Sequence, residues 1–155
     1  MKKHIMESVG RYIGHFYRYG QSFLSKEYKS YNIGPGQYQI LIMLYLQDGI
    51  SHEELTEKMS VDKATTTRAI MKLEQEGYVE RSLNENDKRK YNIYLTEKAL
   101  EKKDEIFKIS VMWEDRLTGC LTEEEIDNLI LTLRKIANNM NISFIDELDK
   151  ETNSK

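Results

Sequence analysis

The chain has 155 residues, of which 39% are apolar and 32% charged, and its formal net charge is −3. This length suits one domain, so we treat residues 1–155 as a single unit. A single proline among many charged residues is typical of a mainly helical protein. No apolar run approaches the roughly 18 residues that a membrane-spanning helix needs, so we expect no membrane association.

The cysteine content and the N-terminus indicate the compartment. Cys120 is the only cysteine, so the chain has no pair for an internal disulfide. The N-terminus begins with basic residues but lacks the apolar segment and cleavage site of a secretory signal. Both features fit a reducing environment, and we predict a cytoplasmic protein.

Charge is distributed unevenly along the chain. Residues 63–98 hold eight Lys or Arg against six Asp or Glu, whereas residues 119–155 hold four against eight. Nucleic-acid binding requires only a local basic patch, although this modest excess also suits an ordinary protein surface.

The first predicted element is a long amphipathic helix over residues 5–28. Its apolar residues recur at steps of three and four: Ile5, Val9, Ile13, Phe16, Phe23 and Leu24. After a turn over residues 32–36, Pro35 is placed to open a second helix that ends at Leu46. This helix is apolar on nearly every side, so we expect it to be central and buried.

Two short helices follow. Ser51 and Glu54 form a capping box at the start of the first, which should end near Met59. Asp62 can cap the second, which continues until Gly77. Two short helices joined by three or four residues are typical of a helix-turn-helix unit.

Beyond Gly77 the pattern changes to that of strands. Residues 78–81 and 91–96 are predicted strands, the second with alternating apolar and polar side chains. The polar segment 84–90 between them is rich in turn-forming residues. This arrangement predicts a hairpin with a charged tip, or wing.

Two further helices complete the chain. Thr96 can cap one that carries apolar residues as far as Leu117, and Thr122 with Glu125 forms a second capping box. The tail of residues 146–155 is polar and is expected to fray.

The predicted fold class is therefore mainly α with a small β-hairpin wing. A winged helix-turn-helix over residues 35–96 lies between helices within residues 1–31 and 97–145.

The helix after Asp62 has a distinctive outer face. Thr66, Ile70 and Leu73 share one side at helical spacing and are expected to face the core. The opposite side and its flanks carry small, hydroxylated and basic residues, with no acid between the two lysines: Lys63, Ala64, Thr65, Thr67, Arg68, Met71 and Lys72.

Such a face suits the major groove of duplex DNA. Short threonine side chains allow close approach, and Arg68 is long enough for a bidentate contact to guanine. Lys63 and Lys72 can neutralise phosphates on the flanks. An exposed helix whose charges merely keep the protein soluble would have the same composition, so the helix alone leaves both interpretations open.

The tip of the predicted wing is also cationic. Lys88, Arg89 and Lys90 are consecutive there, and a narrow minor groove attracts such side chains. Asp87 can pair with Arg89 and orient its guanidinium group. A solvated hairpin turn is the alternative for this segment.

Three segments resemble the MarR family of bacterial and archaeal regulators. They are residues 61–68 (Val-Asp-Lys-Ala-Thr-Thr-Thr-Arg), residues 73–81 (Leu-Glu-Gln-Glu-Gly-Tyr-Val-Glu-Arg), and the wing motif Asp87-x-Arg89 followed by Leu95-Thr96. Two positions depart from the family pattern: Ala64, where the family often has Ser, and Thr66, where it usually has Val.

The resemblance implies an obligate homodimer held by the helices within residues 1–31 and 97–145. It implies recognition helices in successive major grooves and wings in the minor groove of a pseudo-palindromic operator, usually with repression. It also implies that Ser51 contacts a phosphate. Together with the cations above, the predicted DNA-binding residues are Ser51, Lys63, Thr65, Thr67, Arg68, Lys72, Asp87, Lys88, Arg89 and Lys90.

Members of this family commonly bind a small aromatic or phenolic effector between the dimerisation and DNA-binding parts. Aromatic residues crowd the first helix and begin the second, and the candidate ligand-binding residues are Tyr12, Phe16 and Tyr38. Aromatic residues at helical spacing equally suit a dimer core, which stays open as the alternative.

Catalysis finds little support. Residues 52–56 begin like a zinc-protease helix, but Thr56 stands where the second histidine is required. The three histidines are scattered and Cys120 has no neighbour at metal-ligand spacing, so we expect no enzyme, no cofactor and no metal. The main alternative is a winged helix that binds another protein without binding DNA, which the cationic helix face and wing tip argue against.

Overall fold

The computed structural model describes residues 7–59 and 61–142. The first helix, α1 (Val9–Glu27), is capped by Ser8, whose Oγ accepts a hydrogen bond from Arg11 N at 3.3 Å. The predicted helix over residues 5–28 begins too early, because Ser8 caps the helix and Val9 is its first residue; residues 5 and 6 lie outside the described residues. A short 3₁₀ helix (Tyr28–Tyr31), which the sequence pattern did not predict, follows directly.

The second helix, α2 (Pro35–Leu46), lies at the centre of the core. Ile40, Leu41 and Leu44 are at most 1% exposed, which confirms the predicted buried helix. Its start is fixed by proline at the first position and by Gln37, whose Oε1 accepts from Gly34 N at 2.6 Å.

The helix-turn-helix consists of α3 (His52–Met59) and α4 (Lys63–Gln75). Asp62 caps α4 as predicted, because its Oδ1 accepts from Thr65 N at 2.9 Å. Gly77 ends the unit in the left-handed region, at φ +76°, and lets Tyr78 N donate to Leu73 O at 2.9 Å.

The start of α3 differs from the predicted capping box. Ser51 Oγ accepts from Glu54 N at 3.2 Å, which is the first half of the box. The Glu54 carboxylate pairs instead with Lys58, at 3.9 Å between Oε1 and Nζ, because Lys58 lies one helical turn further on.

The wing is the outer part of a small antiparallel sheet. Strands β2 (Val79–Leu83) and β3 (Tyr91–Leu95) pair with Val79 opposite Leu95. A third strand, β1 (Ile50–Ser51), pairs with the other edge of β3, giving the order β1-β3-β2. The hairpin was predicted, whereas β1 was not.

The C-terminal part contains α5 (Glu97–Glu101), α6 (Lys103–Thr118) and α7 (Glu123–Asn139). The single helix predicted after Thr96 is wrong, because the chain breaks it at Lys102. Tyr45 donates its hydroxyl to Ala99 O at 2.6 Å, and this carbonyl would otherwise accept from Lys103 N within a continuous helix. The capping box of Thr122 and Glu125 is present with both hydrogen bonds.

Two buried tyrosines connect the 3₁₀ helix to its neighbours. Tyr28 donates to Ile106 O at 3.1 Å, and burial raises the pKa of its hydroxyl to about 12. Tyr78, which directly follows the helix-turn-helix, donates to Tyr31 O at 2.9 Å. The first bond holds the 3₁₀ helix against α6, and the second holds the segment that follows α4 against the 3₁₀ helix.

The predicted fold class, mainly α with a small hairpin wing, is confirmed. No helix within residues 7–59 and 61–142 is long and apolar enough to cross a bilayer. The predicted tail of residues 146–155 lies outside the described residues. The division at residues 35–96 stays a prediction.

Candidate nucleic-acid interface

The outer face of α4 is exposed as predicted. Lys63, Arg68, Met71 and Lys72 are exposed and the inner face is buried, whereas Thr65 and Thr67 of the predicted outer face are half-buried. The buried face includes Thr66, which is 1% exposed and donates its hydroxyl to Asp62 O at 3.4 Å. This hydroxyl is therefore accommodated in the core by a backbone carbonyl one turn earlier.

Three side chains at the start of α4 form a hydrogen-bonded chain. Thr65 Oγ1 donates to Asp62 Oδ2 at 2.6 Å and accepts from Arg68 Nη2 at 2.9 Å. The hydrogen bonds from the Thr65 hydroxyl and then from its backbone N–H lower the pKa of the Asp62 carboxyl. Arg68 is thus linked through Thr65 to Asp62, the residue that caps its own helix.

A second threonine of α4 is bound to α3. His52 Nε2 lies 2.9 Å from Thr67 Oγ1, and the same hydroxyl donates to Lys63 O at 2.8 Å. Burial and then the charge of Lys63 lower the pKa of the His52 imidazole. Sequence reasoning missed this role of His52, because the contact joins two helices and has no local sequence signal.

The predicted phosphate-binding lysines differ in their surroundings. Lys72 is already paired with Glu76, at 2.7 Å between Nζ and Oε1. In the described part of the chain, the side chains of Lys63, Lys88 and Lys90 make no hydrogen bond or ion pair. Among the predicted DNA-binding lysines, these three are therefore the most directly available to an anionic partner.

The wing tip is shaped by Asn84 and Asp87. Asn84 Oδ1 accepts from the backbone N–H groups of Asn86 and Asp87, at 2.9 and 3.1 Å. Asp87 Oδ1 accepts from Arg89 Nε at 3.1 Å, so the predicted pair of Asp87 and Arg89 is present. The Arg89 side chain is 90% exposed, and its hydrogen bonds lower the pKa of the Asp87 carboxyl.

The base of the wing lies beside the start of α3. Ser51 pairs with Asn92 across the β1–β3 ladder, and Asn92 Oδ1 accepts from Asn84 Nδ2 at 3.0 Å. The predicted phosphate contact Ser51 is half-buried. The structure thus connects the N-terminus of α3 to the loop that carries the wing cations.

The candidate effector residues do not form one cluster in the single chain. Tyr12 and Phe16 are exposed on α1, with ring centroids 6.2 Å apart. Tyr38 instead stacks on Tyr28, with centroids 5.1 Å apart. The effector site stays a prediction.

An open groove lies along α4, lined by Arg68, Met71, Lys72, Glu74 and Gln75.

Comparison with known proteins agrees with this geometry. The model of the MarR family matches residues 33–91. The chain is 29% identical to the HTH-type transcriptional regulator BilQ of Clostridioides difficile over 130 residues, covering 84% of this chain and 88% of that protein.

Solved structures give the same result. A MarR transcriptional regulator from Methanosarcina mazei is 38% identical, with a TM-score of 0.73 over 91% of this chain and 96% of the other. A cysteine-to-serine variant of MarR from E. coli, complexed with operator DNA, is 26% identical, with a TM-score of 0.76 over 86% and 96% of the two chains.

The helix-turn-helix, the three-stranded sheet and the flanking helices define a winged-helix protein. The chain belongs to the MarR family of helix-turn-helix transcriptional regulators.

Proposed function

We propose that the protein is a sequence-specific regulator of transcription that binds duplex DNA as a homodimer. In this proposal α4 enters the major groove, the wing reaches the minor groove, and the operator is pseudo-palindromic. The observation that carries the proposal is the exposed start of α4, where Arg68 is held by Thr65 and no acid lies between Lys63 and Lys72. The operator complex of the E. coli MarR variant supports it.

The contacts divide into two kinds. Arg68 is the base-reading residue, because a guanidinium group can donate two parallel hydrogen bonds to guanine. Lys63, Lys88 and Lys90 neutralise phosphates, as their side chains make no hydrogen bond or ion pair among the described residues. Lys72 exchanges Glu76 for a phosphate, and Arg89 enters the minor groove in the orientation that Asp87 fixes.

The homodimer is argued from α7. Of this 17-residue helix only Ala137 is buried in the single chain. Large apolar residues of α7 and of its C-cap remain exposed by 37–62%, and four of α1 remain exposed by 48–64%: Leu129, Ile130, Leu131, Leu133, Ile136 and Met140, and Val9, Tyr12, Ile13 and Phe16. Exposed apolar faces of this extent indicate a protein interface, and a second copy of the same chain would cover them symmetrically.

Repression follows from the proposed geometry when the operator overlaps a promoter, since a bound dimer would exclude polymerase there. The site of action is the cytoplasm, where the DNA of a bacterium or archaeon lies. Release by a small aromatic effector is the further expectation attached to Tyr12, Phe16 and Tyr38.

The direct test is fluorescence anisotropy on duplex DNA from the region upstream of the gene, beside an unrelated duplex. We expect tight binding that weakens about 10³-fold or more between roughly 50 and 200 mM salt. Arg68→Ala should weaken binding to the upstream duplex by about tenfold or more, since it removes a bidentate base contact. Lys108→Ala, which removes an exposed cation of α6, is the charge-matched control and should leave binding within about twofold.

Absence of binding to both duplexes at low salt would contradict the proposal. The winged helix would then be assigned to contact with another protein.

A further inference from the structure

The hydrogen bonds at the start of α4 have a direction that chemistry fixes. The Asp62 carboxylate can only accept, and the Arg68 guanidinium can only donate. The Thr65 hydroxyl between them must therefore donate to Asp62, at 2.6 Å, and accept from Arg68, at 2.9 Å. Its only proton is committed to Asp62, so the hydroxyl has no proton left for a DNA phosphate.

From this we infer that Thr65 is a positioning residue. It links the guanidinium of Arg68 to the fixed carboxylate of Asp62, and it thereby determines how strongly Arg68 prefers guanine to other bases. The inference rests on the proposed DNA-binding function and assigns Thr65 a role within it. Asp62 is itself anchored, because its Oδ1 accepts from Thr65 N at 2.9 Å as the helix cap. The guanidinium is thus tied to the backbone of the first turn of α4.

The tie matters because Arg68 is an exposed, flexible side chain. An arginine that is not held at this position can bind a neighbouring phosphate instead. Such a contact adds affinity for every DNA sequence and does not distinguish one base from another. One Nη2 hydrogen bond to Thr65 still leaves a pair of N–H groups for guanine O6 and N7. Holding the group in advance also reduces the side-chain entropy lost when it binds a base.

The inference predicts a specific loss. Thr65→Val keeps the shape of the side chain and the backbone N–H that Asp62 caps, but removes the hydroxyl. The preference for the correct base pair over its substituted form should fall about five- to tenfold, the usual effect of one ordinary protein hydrogen bond. Affinity for an unrelated duplex should stay the same or rise, since Arg68 is released to phosphates. Thr65→Ser should restore the preference.

A substitution at Asp62, the other partner of Thr65, tests the inference independently. Asp62→Asn keeps a good helix cap, because asparagine serves at this position as well as aspartate. Its amide nitrogen, however, donates where the carboxylate accepted, which reverses the hydrogen bond to Thr65, and the negative charge that attracts Arg68 is lost. Because the Thr65 hydroxyl can still accept from Arg68, we expect a smaller loss of base preference than in Thr65→Val, with a melting temperature close to that of the original protein.

The deciding experiment is a double-mutant cycle of Thr65→Val and Arg68→Ala, measured by anisotropy on duplexes that carry single base-pair substitutions and on an unrelated duplex. If Thr65 acts through Arg68, the loss caused by Thr65→Val disappears in the Arg68→Ala background. An equal loss on specific and unrelated duplexes, or a full additional loss in the Arg68→Ala background, would overturn the inference while leaving DNA binding intact. Failure of the unmodified protein to bind any duplex would overturn the proposed function and the inference with it.

Discussion

His52 of α3 and Thr67 of α4 are joined by a contact of 2.9 Å between the imidazole Nε2 and the hydroxyl oxygen. Because the Thr67 hydroxyl donates to Lys63 O at 2.8 Å, it must accept from an Nε2–H of the imidazole. This pair fixes the two helices of the helix-turn-helix against each other at the end that faces the proposed DNA.

The surroundings of His52 also make stability depend on pH. Burial and the neighbouring cations Lys63 and Arg81 lower the pKa of folded His52, and only Glu53 acts in the opposite direction. The unfolded chain therefore takes up a proton first as the pH falls through about 6.5, and the free energy of unfolding decreases there. This decrease ends once the pH is below the folded pKa.

We predict that His52→Gln reduces this decrease, because glutamine can still donate to Thr67 but does not titrate. Urea denaturation at several pH values between about 5.5 and 7.5 measures it. His15→Gln is the matched control, since His15 is exposed on α1. An unchanged pH dependence in His52→Gln would show that His52 does not carry the effect.

The contact between Asp87 and Arg89 predicts whether removal of the Asp87 carboxylate strengthens or weakens DNA binding. An acid near phosphate should weaken DNA binding, so its removal should strengthen binding if charge alone matters. Asp87 however fixes Arg89 through contacts of 3.1 and 3.4 Å, and we expect Asp87→Ala to weaken binding about threefold. Glu85→Gln, at an exposed acid of the same loop, is the control and should strengthen binding slightly. Equal strengthening by both variants would assign Asp87 no orienting role.

Packing between α1 and α6 predicts a stability change at Gly20. A Cβ added there would lie 2.6 Å from Cζ2 of Trp113, whose ring is held by a stack on Phe23 at 5.9 Å. Gly20→Ala should therefore lower the free energy of unfolding by about 1–3 kcal/mol. Gly10→Ala, on the same helix with nothing within 4 Å of an added Cβ, should raise it by about 0.5–1 kcal/mol. Equal or greater stability of Gly20→Ala would contradict the close contact.

The proposed dimer predicts a change in mass. A single chain has a mass of 18.3 kDa, and we expect twice this value in light scattering. Leu133→Glu places a charge on the exposed apolar face of α7 and should shift the protein towards one chain. Asn128→Glu, at an exposed polar position of the same helix, should leave the mass unchanged. A single-chain mass for the unmodified protein would contradict the homodimer.

Local chemistry explains what the sequence predicted well. Asp62, Thr96 and Thr122 were predicted as helix caps, and each accepts from the backbone N–H three residues later. Helix starts can be predicted because a cap depends only on residues within one turn. The hairpin was predicted for the same reason, from its alternating strand and its polar turn.

The errors have non-local causes. The break at Lys102 is associated with Tyr45, which lies far away in sequence and binds Ala99 O. Strand β1 has only two residues, and its assignment depends on pairing with β3. No periodicity within a short window contains such information.

Within the candidate site, the sequence predicted the residue types but not the hydrogen bonds and ion pairs that these residues already make inside the protein. The hydroxyl protons of Thr65 and Thr67 are used inside the protein, and Lys72 is paired with Glu76. These facts depend on side-chain geometry across a helical turn or between helices. These internal contacts decide which residues are expected to contact bases and which are expected to position the base-contacting residues.

Selection from a random duplex library tests whether this chain reads DNA sequence through α4. We expect the protein to enrich a pseudo-palindromic sequence whose half-sites lie about 10 base pairs apart, or a multiple of one helical turn. We also expect Arg68→Ala to lose the preference for one G·C pair in each half-site. Enrichment of no sequence, with weak and equal binding to all duplexes, would contradict the reading of DNA sequence through α4.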